Sequence, residues 1–150
     1  MKNSLPEDVN KKICDLGGNL SIICHGPFLL ENIELLAHHL RHWRFLFPNS
    51  EIIAVISSSD FLDLDISLRG KAIDLNCNKI SNMDISLSVD IIKKHVDSIV
   101  LSEGELAFSG IWQQHKIRNN INIQIAAAQT GMKYATRYFT LRTRNDFVFM

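Results

Sequence analysis

Neither sign of charge predominates in this chain. Lys+Arg and Asp+Glu are 16 each in 150 residues, for a formal net charge of zero. A general nucleic-acid binder normally carries a basic surplus to meet phosphates, so that class is disfavoured, while a small local anion site is not. Cysteine is scarce: Cys14, Cys24 and Cys77 are odd in number, widely spaced and without a CxxC pair. They argue against a disulfide framework or a zinc site and predict reduced thiols in a cytoplasmic protein. No apolar run reaches the roughly 20 residues that cross a bilayer, and the segment Met1 to Asp8 lacks the apolar stretch of a signal peptide. Neither GxGxxG nor a Walker sequence occurs, so the two commonest phosphate-loop signatures are missing. Repeats, low-complexity tracts and linkers are missing too, which predicts a single domain over 1–150, and 46% hydrophobic residues are enough for a real core.

Alternating helix and strand signals fill the chain. Ser4-Leu-Pro-Glu7 reads as a capping box with Pro6 early in a short helix, ended by Gly17-Gly18. Leu20 to Cys24 is a short apolar run, the pattern of a buried strand, broken by His25-Gly26-Pro27. From Asn32 to Phe47, Ile33, Leu36, Ala37, Leu40, Trp43 and Phe47 recur at helical steps, ending at Pro48-Asn49. Glu51 to Ser57 predicts a second buried strand. Ser58 to Ser88 gives no clear pattern. A helix is expected over Val89–Val96, a strand over Asp97–Leu101, and an irregular loop carrying Trp112 and His115. Asn119 or Asn120 would cap a helix with the apolar stripe Ile121, Ile125, Ala128, Met132 and Ala135, and a last strand begins near Tyr138. Such alternation, with strands apolar throughout, predicts an α/β, Rossmann-like three-layer domain with a mostly parallel sheet of about four strands. Ligands of such sheets sit at the carboxyl ends of the strands.

The residues that could carry chemistry cluster there. Gly26 lets a ligand approach the backbone after the first strand, and Phe28 could wall a pocket, though an ordinary strand-to-helix turn explains the segment equally simply. His38 and His42 have a zinc-like spacing, but with no third ligand nearby and Arg41 and Arg44 beside them they read as a solvated helix face. Glu103 and Glu105 flank Gly104 at the end of the third predicted strand. Asn120, Asn122 and Gln124 gather at a helix start, where free N–H groups and amides can bind an anion or sugar hydroxyls. In the final strand, alternation puts Arg142, Arg144 and Asp146 on one face. Charges within an apolar strand should pair with one another or face a polar site. Asp146 with two guanidiniums suits either an internal ion pair or a site for a divalent cation and phosphate.

Taken together, the strand ending Ser102-Glu103-Gly104, the segments Asn120 to Ile125 and Gly131 to Ala135, and the stretch Tyr138 to Asp146 resemble the WavE-type lipopolysaccharide synthesis proteins, predicted glycosyltransferases of the GT-A kind. Gly26-Pro27, Phe47-Pro48-Asn49 and the strand Glu51 to Ser57 fit the front of the same pattern, whereas Ile123 stands where that family commonly has an arginine. The resemblance implies a GT-A nucleotide-sugar-binding half. Asp146 would be its metal ligand, for Mn²⁺ or Mg²⁺. Arg142 and Arg144 would be diphosphate partners, and Gly26 and Pro27 the edge of the nucleotide pocket, with Asn122 and Gln124 orienting the ligand. It further implies transfer to a polysaccharide or lipid-linked acceptor, in the cytoplasm or peripheral to the inner membrane. Because GT-A enzymes continue into an acceptor-binding half, the chain is expected to be the N-terminal half of such an enzyme. The alternative is a truncated, non-catalytic α/β interaction domain, self-associating as a homodimer through the apolar end Phe147 to Met150.

Overall fold

The structure, a computed structural model, describes residues 6–26, 33–57, 73–74, 83–102, 107–112, 115–119 and 121–144. Its elements in chain order are α1 (Glu7–Gly18), β1 (Leu20–His25), α2 (Ile33–Leu46), β2 (Glu51–Ser57), β3 (Ile73–Asp74), α3 (Met83–Ile92), β4 (Ser98–Ser102), β5 (Ala107–Trp112), β6 (His115–Asn119), α4 (Ile121–Tyr134) and β7 (Phe139–Arg144). β4, β2, β1 and β7 lie side by side in that order, all parallel, and the short β3 pairs antiparallel with β4. Helices cover both faces. The fold is therefore the α/β, Rossmann-like three-layer domain that the sequence pattern predicts.

Burial explains why these segments became strands. All six residues of β1 are buried, as are six of the seven in β2, because each strand is covered on both faces. One face carries Leu20, Ile22 and Cys24 of β1, Ile52, Ala54 and Ile56 of β2, and Ile99 and Leu101 of β4. These pack with Leu36, Leu40 and Trp43 of α2 and Val89 and Ile92 of α3. The other face carries Ile23, Ile53, Val55 and Val100 and receives α4 through Ala127, Tyr134 and Ala135. Each wholly buried isoleucine or leucine contributes about 1.5–3 kcal/mol relative to exposure.

Several local expectations are corrected. Pro6 occupies the cap position of α1 and supplies no side-chain cap, so Glu7 begins the helix instead of closing a box with Ser4, which lies outside the described residues. The third helix starts at Met83 and ends at Ile92, earlier than Val89–Val96. Its opening, Met-Asp-Ile-Ser-Leu-Ser, alternates with the period of a strand and hides the helix. The stretch read as an irregular loop is the antiparallel hairpin β5–β6, in which Trp112 lies opposite His115. Its Gln113-Gln114 connection lacks the Asn-Gly type of signal that marks tight hairpins.

The largest correction concerns α4. Its expected apolar stripe included Ile125 and Met132, yet these are 50% and 56% exposed, while Ala127, Ala128, Thr130 and Gly131 face inward. Proximity decides this. A Cβ placed on Gly131 would overlap the Ile23 side chain and stand 3.1 Å from Val55 Cγ2. At Gly131 the helix lies so close to the sheet that a side chain would not fit beneath it, and the neighbouring Ile125 and Met132 turn outward.

Two polar clamps lock the amino edge of the sheet. Glu51 Oε2 accepts from Ser21 Oγ at 2.5 Å and from Thr136 N at 2.8 Å, and its Oε1 accepts from Thr136 Oγ1 at 2.9 Å. Ser21 Oγ in turn accepts from Arg137 N at 3.1 Å, so the α4–β7 connection is fastened to the starts of β1 and β2. Asp97 Oδ2 accepts from Ile52 N at 2.7 Å and from Arg44 Nη2 at 2.8 Å, joining the end of α2 to the start of β4. Arg44 also donates to the Ser50 carbonyl at 2.6 Å.

Gly131→Ala should lower stability in urea unfolding by up to about 2 kcal/mol, the difference between an overpacking cost of about 1–3 kcal/mol and a gain in helix propensity of about 1 kcal/mol. A higher midpoint would refute the close approach. Glu51→Gln should cost about 1–3 kcal/mol by removing charge-assisted hydrogen bonds. In a double-mutant cycle with Thr136→Val the two changes should be non-additive, and additivity would show that the clamp is not formed.

Candidate functional site

The order of the strands creates a switch point. From β1 the chain passes through α2 to β2 and then outward to β4, whereas β7 arrives on the opposite side of β1. The chain leaves the carboxyl end of β1 for α2 on one face, whereas it reaches β7 from α4 on the other, and in open α/β sheets ligands bind at the carboxyl ends of the strands where the strand order switches in this way. Gly26 stands at that point, immediately after β1, with φ of 143°. A residue with a Cβ is strained there, so glycine leaves the strand end without a side chain and lets a ligand reach the backbone.

Register brings the predicted arginines to the same place. Arg144 is the partner of His25 across the β1–β7 pair, and Arg142 is the partner of Ile23. Both arginines thus lie on the face of the sheet that α4 covers further along. β7 is the last strand on its side among the described residues and is largely exposed, with Arg142 exposed and Arg144 half-buried. The expectation that these charges sit within a buried apolar strand is accordingly corrected. At an exposed edge Arg142 is solvated at little cost, and only Arg144 enters the sheet's end.

One pattern escaped the sequence reading. The last residue of each parallel strand, His25 in β1, Ser57 in β2, Ser102 in β4 and Arg144 in β7, is polar, and by register all four share the α4 face. One step inward the same face is Ile23, Val55 and Val100, all wholly buried. His25, Ser57 and Ser102 are themselves buried, and Ser102 Oγ donates to the Ile56 carbonyl at 3.4 Å. On the opposite face the three inner strands stay apolar at the carboxyl end, with Cys24, Ile56 and Leu101, and only the edge strand β7 turns polar, at Thr143. At the amino end of the α4 face, Ser21 and Glu51 are engaged in the Glu51 clamp. Those at the carboxyl end border the switch point.

α4 is oriented toward this edge as well. Its end is held at the amino edge through Thr136, and it runs back over Val55 and Ile23, so its first turn, some 20 Å away for 14 residues, projects toward the carboxyl edge. Asn122 and Gln124 belong to that first turn, and Gln124 is half-buried. Pro27, Phe28, Glu103, Gly104, Glu105, Asn120 and Asp146 lie outside the described residues, as does the segment Phe147 to Met150.

The described strand ends offer an imidazole, two hydroxyls and a guanidinium and no carboxylate. That donor set suits an anion and does not by itself fit a hard divalent cation. Among the described residues no group of three or more His, Cys, Asp or Glu is placed to hold a metal ion. His38 is exposed and His42 half-buried, while the unremarked His39 between them is buried and accepts a hydrogen bond from Trp43 Nε1 at 3.1 Å. Cys24 is buried on the α2 face, and burial pushes its thiol far above the ordinary range, so it is no nucleophile. His95, between α3 and β4, is held below the ordinary imidazole range by burial and by Arg41 and Lys94. No helix among the described residues is long and apolar enough to cross a membrane. Comparison of the chain with family models, curated proteins and solved structures found no match.

Proposed function

We propose that the chain is a nucleotide-sugar-binding domain of the GT-A kind, the front half of a glycosyltransferase that builds lipopolysaccharide or another cell-surface polysaccharide in the cytoplasm. The observation that carries this is the coincidence of three things at one point: the switch in strand order, the bare Gly26, and Arg144 in register with the end of β1. A diphosphate placed there would meet Arg144 directly and Arg142 at the rim, and Gly26 and Pro27 would border the nucleotide. Asn122 and Gln124, in the first turn of α4, would orient the ligand with the backbone N–H groups of that turn. Asp146 is the residue proposed to bring Mn²⁺ or Mg²⁺ to the diphosphate, where such an ion neutralises charge on a leaving group. Transfer also needs a base beside the acceptor hydroxyl, a role assigned here to no residue of this chain.

The alternative, a non-catalytic domain that self-associates, has one observation in its favour: the exposed β7 edge, preceded by Tyr138 at 84% exposure. Calorimetric titration with UDP- and CMP-sugars, with and without Mn²⁺, separates the two. The enzyme half should bind one of these nucleotides more tightly with Mn²⁺, and Asp146→Asn should abolish the Mn²⁺ effect while leaving a weaker metal-independent component. A folded chain that binds no nucleotide and scatters light as a defined dimer would overturn the proposal in favour of the alternative.

A further inference from the structure

We propose that the α4 face of β7 is a binding surface for an acidic polysaccharide, whose chain end it delivers to the switch point as the sugar acceptor. The role of acceptor rests on the glycosyltransferase function proposed above, whereas the surface itself rests on charge and exposure.

The zero net charge conceals an uneven distribution. Six of the 16 Lys and Arg lie between Leu106 and Asn145, and none of the 16 Asp and Glu does. Three of these cations, Lys133, Arg137 and Arg142, are exposed, and among the described residues none of the three forms an ion pair. A stretch this long without a carboxylate keeps a positive local field, which attracts a polyanion.

β7 presents part of this charge on a face that the core does not use. α4 packs over β1, β2 and β4. The cluster beneath it takes Ile23, Ile53, Val55 and Val100 and no residue of β7. Beyond β1 the same face continues as Thr140, Arg142 and Arg144, which are in register with Ser21, Ile23 and His25. Thr140 and Arg142 are exposed, and alternate positions on a strand stand roughly 6.6 Å apart. Arg144 has a partner of its own and is not one of the contacts proposed. Arg137 and Tyr138 stand exposed just before the strand.

The chemistry of this face selects its occupant. A protein helix docked beside α4 would need an apolar floor like the isoleucine and valine beneath α4. The floor over β7 is a hydroxyl and a guanidinium, which are costly to dehydrate without partners. A sugar chain bearing carboxylates supplies those partners. Its carboxylates accept charge-assisted hydrogen bonds from Arg137 and Arg142, and its hydroxyls exchange hydrogen bonds with Thr140. The apolar side of a sugar ring lies against the Tyr138 ring, whose hydroxyl stays wet. The direction fits as well. β7 runs parallel to β1, so a chain laid from Tyr138 past Arg142 ends at the carboxyl edge beside Gly26.

The probe is oligogalacturonate, a sugar chain with a carboxylate on every ring, titrated calorimetrically into the full chain. Neutral dextran and an oligothymidylate of equal charge are run beside it. The galacturonate should bind, more weakly as salt rises, while dextran should not and the oligothymidylate should bind less tightly. Arg137→Gln and Arg142→Gln together should weaken it by about tenfold or more, the loss of charge-assisted hydrogen bonds. Tyr138→Ala should weaken it roughly threefold. Neither Tyr138→Ala nor Arg137→Gln alone should change the affinity for UDP- or CMP-sugars. A folded chain that ignores the galacturonate, or binds it equally well after the double substitution, overturns the surface even if nucleotide-sugars bind. Oligothymidylate binding at least as tightly overturns it too, in favour of an unselective polyanion face. If the galacturonate binds as expected but no nucleotide-sugar does, the surface stands and the acceptor role fails with the transferase function.

Discussion

β1 is hydrogen-bonded on both edges and covered on both faces, and the elements packed around it take their positions from that confinement. β2 pairs along one edge and β7 along the other, α2 and α3 cover the face bearing Ile22 and Cys24, and α4 lies against Ile23. A strand so enclosed has no tolerance for a shift in register, because one step would exchange the residues fitted beneath Gly131 with those packed against α2. The partnership of His25 with Arg144 inherits that rigidity. Its geometry is set by a ladder along the whole of β1 and does not depend on the local loops.

The two ends of the sheet use their polar residues differently. At the amino end, polar side chains meet one another: Glu51 holds Ser21 and the chain at Thr136, and Asp97 holds Arg44 and Ile52 N. At the carboxyl end, the final residue of each parallel strand is polar and lies on the α4 face, while the three inner strands stay apolar on the other. A core has no need of such a row, since the same strands elsewhere are isoleucine and valine. It is the kind of local departure from packing logic that accompanies a binding site.

Much of this architecture was legible in the residues. Leu20 to Cys24 and Glu51 to Ser57 are continuous apolar runs because both faces are covered, and the Leu36/Leu40/Trp43 stripe of α2 has the helical period of a single buried face. Gly26 and the two arginines stand out in the sequence because each departs from its surroundings. α4 was misread because hydrophobicity identifies greasy residues, whereas the space under this helix admits only small ones, and Gly131 gives no sign of that until Ile23 is placed beneath it. The row of strand ends was missed for a related reason. Ser57 and Ser102 are unremarkable singly, and only the register aligns them with His25 and Arg144.

The β1–β7 pair also dictates when the molecule can become complete. Ser21 contacts Glu51 at a separation of 30 positions but Arg137 at a separation of 116. The β1–β2 ladder can close soon after both strands leave the ribosome, while the opposite edge of β1 must wait for β7, which follows the 116 positions separating Ser21 from Arg137. Distant pairings of this kind form late and slowly. In the interval β1 presents an open, strongly apolar edge of the sort that recruits other strands. The strand that brings Arg144 beside His25 is thus also the one that closes this open edge, so the carboxyl edge at β1 is complete only once β7 has docked.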